Sequence, residues 1–266
     1  MDLADIREYV VGDDVRHIDW NVTARMDTPY VREYLEDREI SAQFLLDVSP
    51  SVDFGTTTAL KRDLLIDFVA VLARLLTRHG NRVGATLYGR HVERAIPARG
   101  GRMQVLRLVS ELERRPRLEQ APATALGELL ETGLRSIRRR SLVFVISDFF
   151  STPGWERPLA LLARRHEVLA IRVSDPRERE IPDIGMVIMN DAETGEHLWV
   201  DTSDRRFRRR FDEVVRRREE MLRSAFRRAG VEALELSTEE DLARSIVRFA
   251  QMRKLRRSRR HAAAVA

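Results

Sequence analysis

Cysteine is absent from all 266 residues. That absence excludes disulfides, thiolate zinc sites and a cysteine nucleophile together. No apolar run is long enough to span a bilayer. The first residues, Met1-Asp2-Leu3-Ala4-Asp5, are acidic and lack the apolar core of a signal peptide. A cytoplasmic location is the expectation from these two absences. No GxSxG string marks a nucleophile elbow, and no GxxxxGK[ST] string marks a phosphate-binding loop. Neither serine hydrolase chemistry nor nucleotide hydrolysis by that route is expected. The six histidines, His17, His79, His91, His166, His197 and His261, show no ligand spacing such as HxxxH. They read as surface or packing residues.

What is abundant is charge. Charged residues make up 33 % of the chain and hydrophobic residues 43 %. The apolar share is that of a globular protein, and the length suits one large α/β domain or two small ones. The net charge of +5 is unevenly spread. From Arg205 to Arg260 there are 18 Arg and one Lys against nine acidic residues. Such a surplus can serve nucleic acid, an anionic membrane surface or an acidic partner, or it can be a solvated helix face. The solvated face is favoured. The segment lacks the interleaved aromatics on which single-strand binders stack bases. Nucleic acid is therefore not the expected partner, while peripheral membrane contact stays open.

Alternation of strand and helix patterns dominates the rest of the chain. Arg7 to Arg25 has no clear period and reads as a loop-rich lead-in, followed by a strand over Tyr30 to Glu36. Ile40 to Asp47 reads as a buried strand. Ala59 to His79 has leucines at helical spacing and stops at Gly80. Arg82 to Tyr88 and Val92 to Ile96 form a hairpin. Met103 to Leu112 is helical. Thr124 stands where an N-cap belongs, before a helix over Ala125 to Ile137. Ser141 to Ser147 is a strongly apolar strand, Trp155 to Arg165 a helix and Glu167 to Val173 a strand. Ile184 to Met189 and His197 to Asp201 flank a turn at Asp191 to Gly195. A long helix runs from Asp204 to Ala229, with Phe207, Phe211, Val214, Val215, Leu222 and Phe226 on its apolar face. Val231 to Leu236 is a strand, and Ser237 caps a last helix with Glu240 three residues on. This order predicts an α/β fold: a mainly parallel central sheet flanked by helices on both faces, Rossmann-type. The expected domains are a lead-in over 1–36, the α/β domain over 37–252 and a basic tail over 253–266.

Two apolar strands end in aspartate, FLLD at Asp47 and VISD at Asp148. In an open α/β sheet, ligands collect beyond the carboxyl ends of the strands. If the two strands are neighbours, Asp47, Ser49, Ser51, Thr124 and Asp148 converge on one edge. All are hard oxygen donors, suited to Mg²⁺ or another divalent cation such as Mn²⁺. The alternative is that Ser49-Pro50-Ser51 only turns the chain and caps the next helix. Spacing alone leaves both open.

Asp47-x-Ser49-x-Ser51, a later threonine and an aspartate ending a central strand resemble the metal-ion-dependent adhesion site of von Willebrand factor A domains. REYVVGDDVRHIDWNVTAR and REYLEDREISAQFLLDVSPS resemble, more specifically, the bacterial family catalogued as domain of unknown function fifty-eight. The resemblance extends through the C-terminal RRAGVEALELSTEEDLARSIVRF and so covers nearly the whole chain. It implies a von Willebrand factor A-like fold and a metal held by Asp47, Ser49, Ser51, Thr124 and Asp148. One coordination position would stay open for the carboxylate of an acidic residue on a protein partner. The Thr124 position departs from the pattern, because Ala123-Thr124-Ala125 lacks the glycines common in that loop. Longer members of the family carry further sequence, some of it membrane-spanning, before the REY string. The family also implies association with MoxR-type AAA+ ATPases in assembly or maturation of protein complexes. The expectation is a non-enzymatic interaction module with no small-molecule substrate.

Two rival functions are weighed beside it. An aspartate-nucleophile phosphatase needs an acid two residues after the nucleophile, and Ser49 stands there instead. A nucleic-acid or membrane-surface binder would act through the Arg-rich C-terminal region. In the N-terminal string, Gly12, Asp13, Asp14, Asp19 and Trp20 lie among Arg7, Arg16 and Arg25. They could form a partner surface or a second metal site. The favoured reading is an ion-pair network, with Trp20 anchoring the lead-in and Gly12 supplying a positive φ in a turn.

Overall fold

The structure is a computed structural model that describes residues 2–26, 28–35, 40–56, 59–118, 121–190 and 197–251. It divides into two units, residues 1–39 and 40–266. The first carries more regular structure than its sequence suggests. Strand β1 (Asp2–Glu8) pairs antiparallel with β2 (Tyr30–Leu35), and helix α1 (Trp20–Met26) lies between them in sequence. β1 was hidden because its pairing partner stands more than twenty residues away, which local periodicity cannot report.

The second unit is built on a six-stranded sheet. Its strands are β3 (Ser41–Asp47), β4 (Arg82–Tyr88), β5 (Val92–Arg99), β6 (Leu142–Ser147), β7 (Glu167–Ser174) and β10 (Glu232–Ser237). The spatial order is β10-β7-β6-β3-β4-β5. Every pair is parallel except β4 with β5, the predicted hairpin. A separate antiparallel pair joins β8 (Met186–Asn190) to β9 (His197–Asp201). The turn expected at Asp191 to Gly195 and the basic tail over 253–266 lie outside the described residues.

Side chains alternate across the sheet, as a strand's two-residue period requires. Ala42, Phe44 and Leu46 face one core, with Phe144, Ile146, Leu169 and Ile171. Helices α2 (Lys61–Arg78) and α3 (Arg102–Glu113) cover that face, together with α7, residues 242–251. Leu45, Val143, Val145 and Ala170 face the other core. There α4 (Leu126–Ser136), α5 (Glu156–Arg165) and α6 (Arg205–Ala229) pack. Both faces are therefore buried, which is why the central strands read as unbroken apolar runs. This is the predicted α/β architecture, a mainly parallel central sheet with helices on both faces. Gly133 lets α4 lie directly on β3, since a Cβ there would meet Leu45 Cδ1 at 2.8 Å.

The position of the strand ends matters most for function. From β3 the chain moves outward to β4, and it later returns on the opposite side of β3 as β6. The strand order thus reverses between β3 and β6. In a doubly wound sheet the crevice at that reversal, beyond the carboxyl ends, is the ligand position. Asp47 ends β3, and Asp148 directly follows β6.

Two caps differ from the sequence reading. Ala125, not Thr124, is the N-cap of α4, and no side chain of its own caps it. The Leu126 amide instead donates to Ser151 Oγ at 2.9 Å, from the loop after β6. Ser237 closes a turn, with its carbonyl accepting from the Glu240 amide at 3.1 Å. Asp241 caps α7, its carboxylate accepting from the Arg244 amide at 2.8 Å. The long helix α6 also departs from expectation. Only Leu222, Ala225 and Phe226 are buried, while Val214 is 63 % exposed.

Candidate functional site at the strand-order reversal

Asp47 is wholly buried at the end of β3. One carboxylate oxygen accepts from the Ser49 amide at 3.1 Å, and the other accepts from Ser147 Oγ at 2.6 Å. Ser147 Oγ in turn accepts from the Phe149 amide at 2.8 Å. The two strand ends are therefore tied through one hydroxyl. Burial, then the nearby Asp148 carboxylate, pushes the Asp47 carboxyl up to about 6. Among the described residues Asp47 forms no ion pair.

Asp148 is also buried, and its environment differs. Its Oδ1 accepts from the Phe150 amide at 2.9 Å. Its Oδ2 accepts from Lys61 Nζ at 2.7 Å. Burial alone would raise this carboxyl, but the Lys61 ammonium outweighs it and holds the group below its ordinary range. Lys61 stands at the start of α2 and is 1 % exposed. It pairs with Glu178 as well as Asp148. Burial would lower its pKa, and the two carboxylates raise it instead. The rings of Phe54 and Phe150 each lie 5.7 Å from its ammonium.

Three hydroxyls complete the set: Ser49 and Thr124 are buried, and Ser51 is half-buried. Ser49 Oγ and Ser51 Oγ are 3.1 Å apart. Thr124 is buried, and it lines the same cleft as the half-buried Ser51. Its loop is pinned from three sides. The Thr124 carbonyl accepts from the Thr152 amide at 2.8 Å and from Ser151 Oγ at 2.9 Å. The Ala125 amide donates to the Tyr88 hydroxyl at 2.9 Å. The loop after β3 is tied down in the same way. Asp175 accepts from the Thr56 amide at 2.8 Å and from the hydroxyls of Thr56 and Thr238 at 2.6 and 2.8 Å.

The donor set fits a small hard cation. Two oxygens bound at right angles to Mg²⁺ stand about 2.9 Å apart, close to the serine separation here. Two buried carboxylates so near each other also call for positive charge. The set depends on its hydroxyls: among the described residues no cluster of three or more His, Cys, Asp or Glu could hold a metal. Ser49, not an acid, stands two residues after Asp47.

The N-terminal string forms no such cluster. Arg7 grips Asp13 through two hydrogen bonds of 2.7 and 2.8 Å. That grip, with the Val10 amide, holds the Asp13 carboxyl down at about 2. Asp14 caps a short 3₁₀ turn and pairs with Arg16 at 3.2 Å. Asp19 accepts from the Asn21 and Val22 amides at the start of α1. Gly12 has a φ of 117°, the left-handed turn position expected of it. Trp20 is not an anchor: it is 70 % exposed. Arg25 is exposed, and among the described residues it makes no ion pair.

Over residues 5–221 the chain matches the family described as Protein of unknown function DUF58. The chain belongs to this family. It is 38 % identical over 253 residues to an uncharacterized protein of Mycobacterium tuberculosis, covering 93 % of this chain and 78 % of that one. A counterpart in Mycobacterium bovis gives the same figures. Among solved structures, the chain is similar to an aerotolerance-related membrane protein of Bacteroides fragilis. The TM-score is 0.51 at 14 % identity, over 81 % of this chain and 99 % of that one. The conserved hypothetical protein BatB of Bacteroides thetaiotaomicron gives a TM-score of 0.51 at 13 % identity, over 82 % and 99 %. These structural likenesses concern the fold.

Two residues of this DUF58 chain shape the site without having been singled out from sequence. Lys61 had a signal: it is one of only two lysines, with Lys254, among 47 basic residues. A compact ammonium on a flexible stem suits a buried pair where a planar guanidinium is bulkier. Phe149 had none. Its φ of 58° is the left-handed region, rare for a bulky residue. Its ring is held among Trp155 and Phe226, with centroids 5.4 and 5.0 Å away. This kink sends Phe149 into the core while Phe150, the next residue, faces the cleft.

Proposed function

We propose that this chain is a non-enzymatic protein-interaction module. Its site binds a divalent cation, Mg²⁺ or Mn²⁺, through Ser49, Ser51 and Thr124, with Asp47 and Asp148 supplying negative charge directly or through water. The cation would act as a Lewis acid toward the carboxylate of an acidic residue on a protein partner. The observation that carries the reading is the convergence of Asp47, Ser49, Ser51 and Asp148 at the strand-order reversal, with serine hydroxyls 3.1 Å apart.

Within this reading each residue has a task. Ser147 and the Ser49 amide hold Asp47 in one orientation. Lys61 neutralises Asp148, so the pocket does not accumulate two uncompensated charges. Ser51 and Thr124 line the cleft, from which a partner can approach. The partner proposed is a MoxR-type AAA+ ATPase, and the process is assembly or maturation of protein complexes in the cytoplasm. The family membership supports that choice of partner class.

The test is a binding measurement with a purified MoxR-type ATPase from the same genome. Association in Mg²⁺ that is lost in EDTA, and lost with Ser51→Ala, is the expected result. Equal association under all three conditions contradicts the reading.

A further inference from the structure

Beside the Asp47 and Asp148 loops the sheet edge opens into a cleft of about 620 Å³. Ser51 and Thr124 form one part of its lining. The apolar part is supplied by Phe150, Met189, Phe211 and Val214, from the loop after β6, strand β8 and helix α6. Phe150, Met189 and Val214 are exposed. Val214 belongs to the apolar stripe of α6 that the core leaves uncovered. Contiguous exposed apolar surface rimmed by polar groups marks an interaction site.

The cleft carries two arginines, Arg177 and Arg218, against one carboxylate, Glu178, which Lys61 already pairs. Arg218, one turn beyond Val214 on α6, stacks its guanidinium on the Phe150 ring. It donates to the Asp148 carbonyl at 3.2 Å. Among the described residues it makes no ion pair. Arg177 lines the cleft from another side. A guanidinium fixed on an aromatic face and lacking a carboxylate is suited to receive one.

Charge and shape together select the occupant. A basic segment, such as residues 253–266 of this chain, meets Arg218 and Arg177 with the wrong sign. A nucleic acid would satisfy the arginines but leave Met189, Phe211 and Val214 uncovered. A peptide with a carboxylate between bulky apolar side chains complements both. We propose that this cleft binds a partner's peptide segment bearing Asp or Glu flanked by bulky apolar residues. The carboxylate lies at Arg218, and the apolar neighbours lie against Phe150, Met189, Phe211 and Val214. The proposal deepens the reading above and rests on it for a protein partner, but not for the cation.

Randomised peptides displayed on phage are selected on the immobilised full chain, in Mg²⁺ and in EDTA. The enriched sequence is then synthesised and measured by fluorescence anisotropy. The expected enrichment is an acidic residue among Leu, Ile, Phe or Met. Val214→Glu and Arg218→Met should each weaken binding by about tenfold or more, as should Asn for the acid in the peptide. Val214 is exposed, so its variant should keep the wild-type thermal midpoint and isolates the cleft from folding. No enrichment, or binding unchanged in Val214→Glu, overturns the proposal. Loss in EDTA and in Ser51→Ala with Val214→Glu unaffected also overturns it, while sustaining the cation reading. Loss in both cleft variants with no effect of EDTA sustains the cleft and removes the cation. A dimer of the chain that disappears in Val214→Glu would mean a second copy fills the cleft, and overturns the proposal.

Discussion

Lys61 Nζ lies 2.7 Å from Asp148 Oδ2, with both side chains shut away from solvent. The pair joins the start of α2 to the loop after β6 and places a fixed positive charge under the candidate cation site. Breaking a buried pair leaves an uncompensated charge, which typically costs about 3–5 kcal/mol. Lys61→Met should therefore lower stability by about that amount in urea denaturation. Lys61→Arg should also destabilise, because its planar group needs more room than the ammonium. Adding Asp148→Asn to Lys61→Met should recover part of the loss. A neutral Lys61→Met would show that the pair holds nothing together.

The same geometry predicts how Mg²⁺ and Lys61 interact. In wild type the lysine already neutralises Asp148, so Mg²⁺ should raise the thermal midpoint only modestly. Lys61→Met removes the ammonium paired with Asp148, so the Mg²⁺-dependent rise should be larger. Differential scanning fluorimetry with and without EDTA reads both. An equal rise in the two proteins contradicts this role for Lys61.

Cation binding should depend on pH through Asp47. Its carboxyl is pushed up to about 6 by burial and by Asp148. A cation requires the ionised form, so protons compete for the site below that pH. Mg²⁺ affinity should be level above about pH 7 and fall by about tenfold per unit below about pH 5. Folding carries the opposite sign. A carboxyl raised in the folded state favours the folded protein at low pH, and that contribution is lost as pH rises from the ordinary carboxylate value of 3.8 through about 6. Asp47→Asn should remove this loss in metal-free buffer, as read by chemical denaturation across that range.

Ser151 is a cap supplied from a distant loop. Its hydroxyl accepts from the Leu126 amide and donates to the Thr124 carbonyl, both at 2.9 Å. Ser151→Ala should cost about 1 kcal/mol, the usual value of a lost N-cap. It should also weaken Mg²⁺ binding, because it frees the Thr124 loop without removing a donor. Unchanged affinity in calorimetry would show that Thr124 does not depend on this brace.

Much of the fold was legible because the strands announce themselves. FLLD and VISD are apolar on both faces and end in aspartate, and only a two-sided sheet needs that pattern. Their adjacency stayed a condition in the sequence, and the pairing of β3 with β6 meets it. Features set by distant partners were not legible. Thr124 looked like an N-cap because the true cap, Ser151, stands 25 residues on. β1 gave no local signal because β2, more than twenty residues on, completes it. Phe211 and Val214 read as core because periodicity identifies an apolar face without saying what covers it. The buried Lys61 belongs to no motif, and only its rarity among arginines sets it apart in the sequence.

The central claim is that Asp47, Ser49, Ser51, Thr124 and Asp148 hold a divalent cation. Calorimetric titration of Mg²⁺ into the wild-type chain, Asp47→Ala and Ser51→Ala tests it most directly. Ser51 is half-buried, so its variant guards against loss through misfolding. Saturable one-site binding in wild type that disappears in both variants is the predicted result. Identical weak heats from all three proteins would contradict the account.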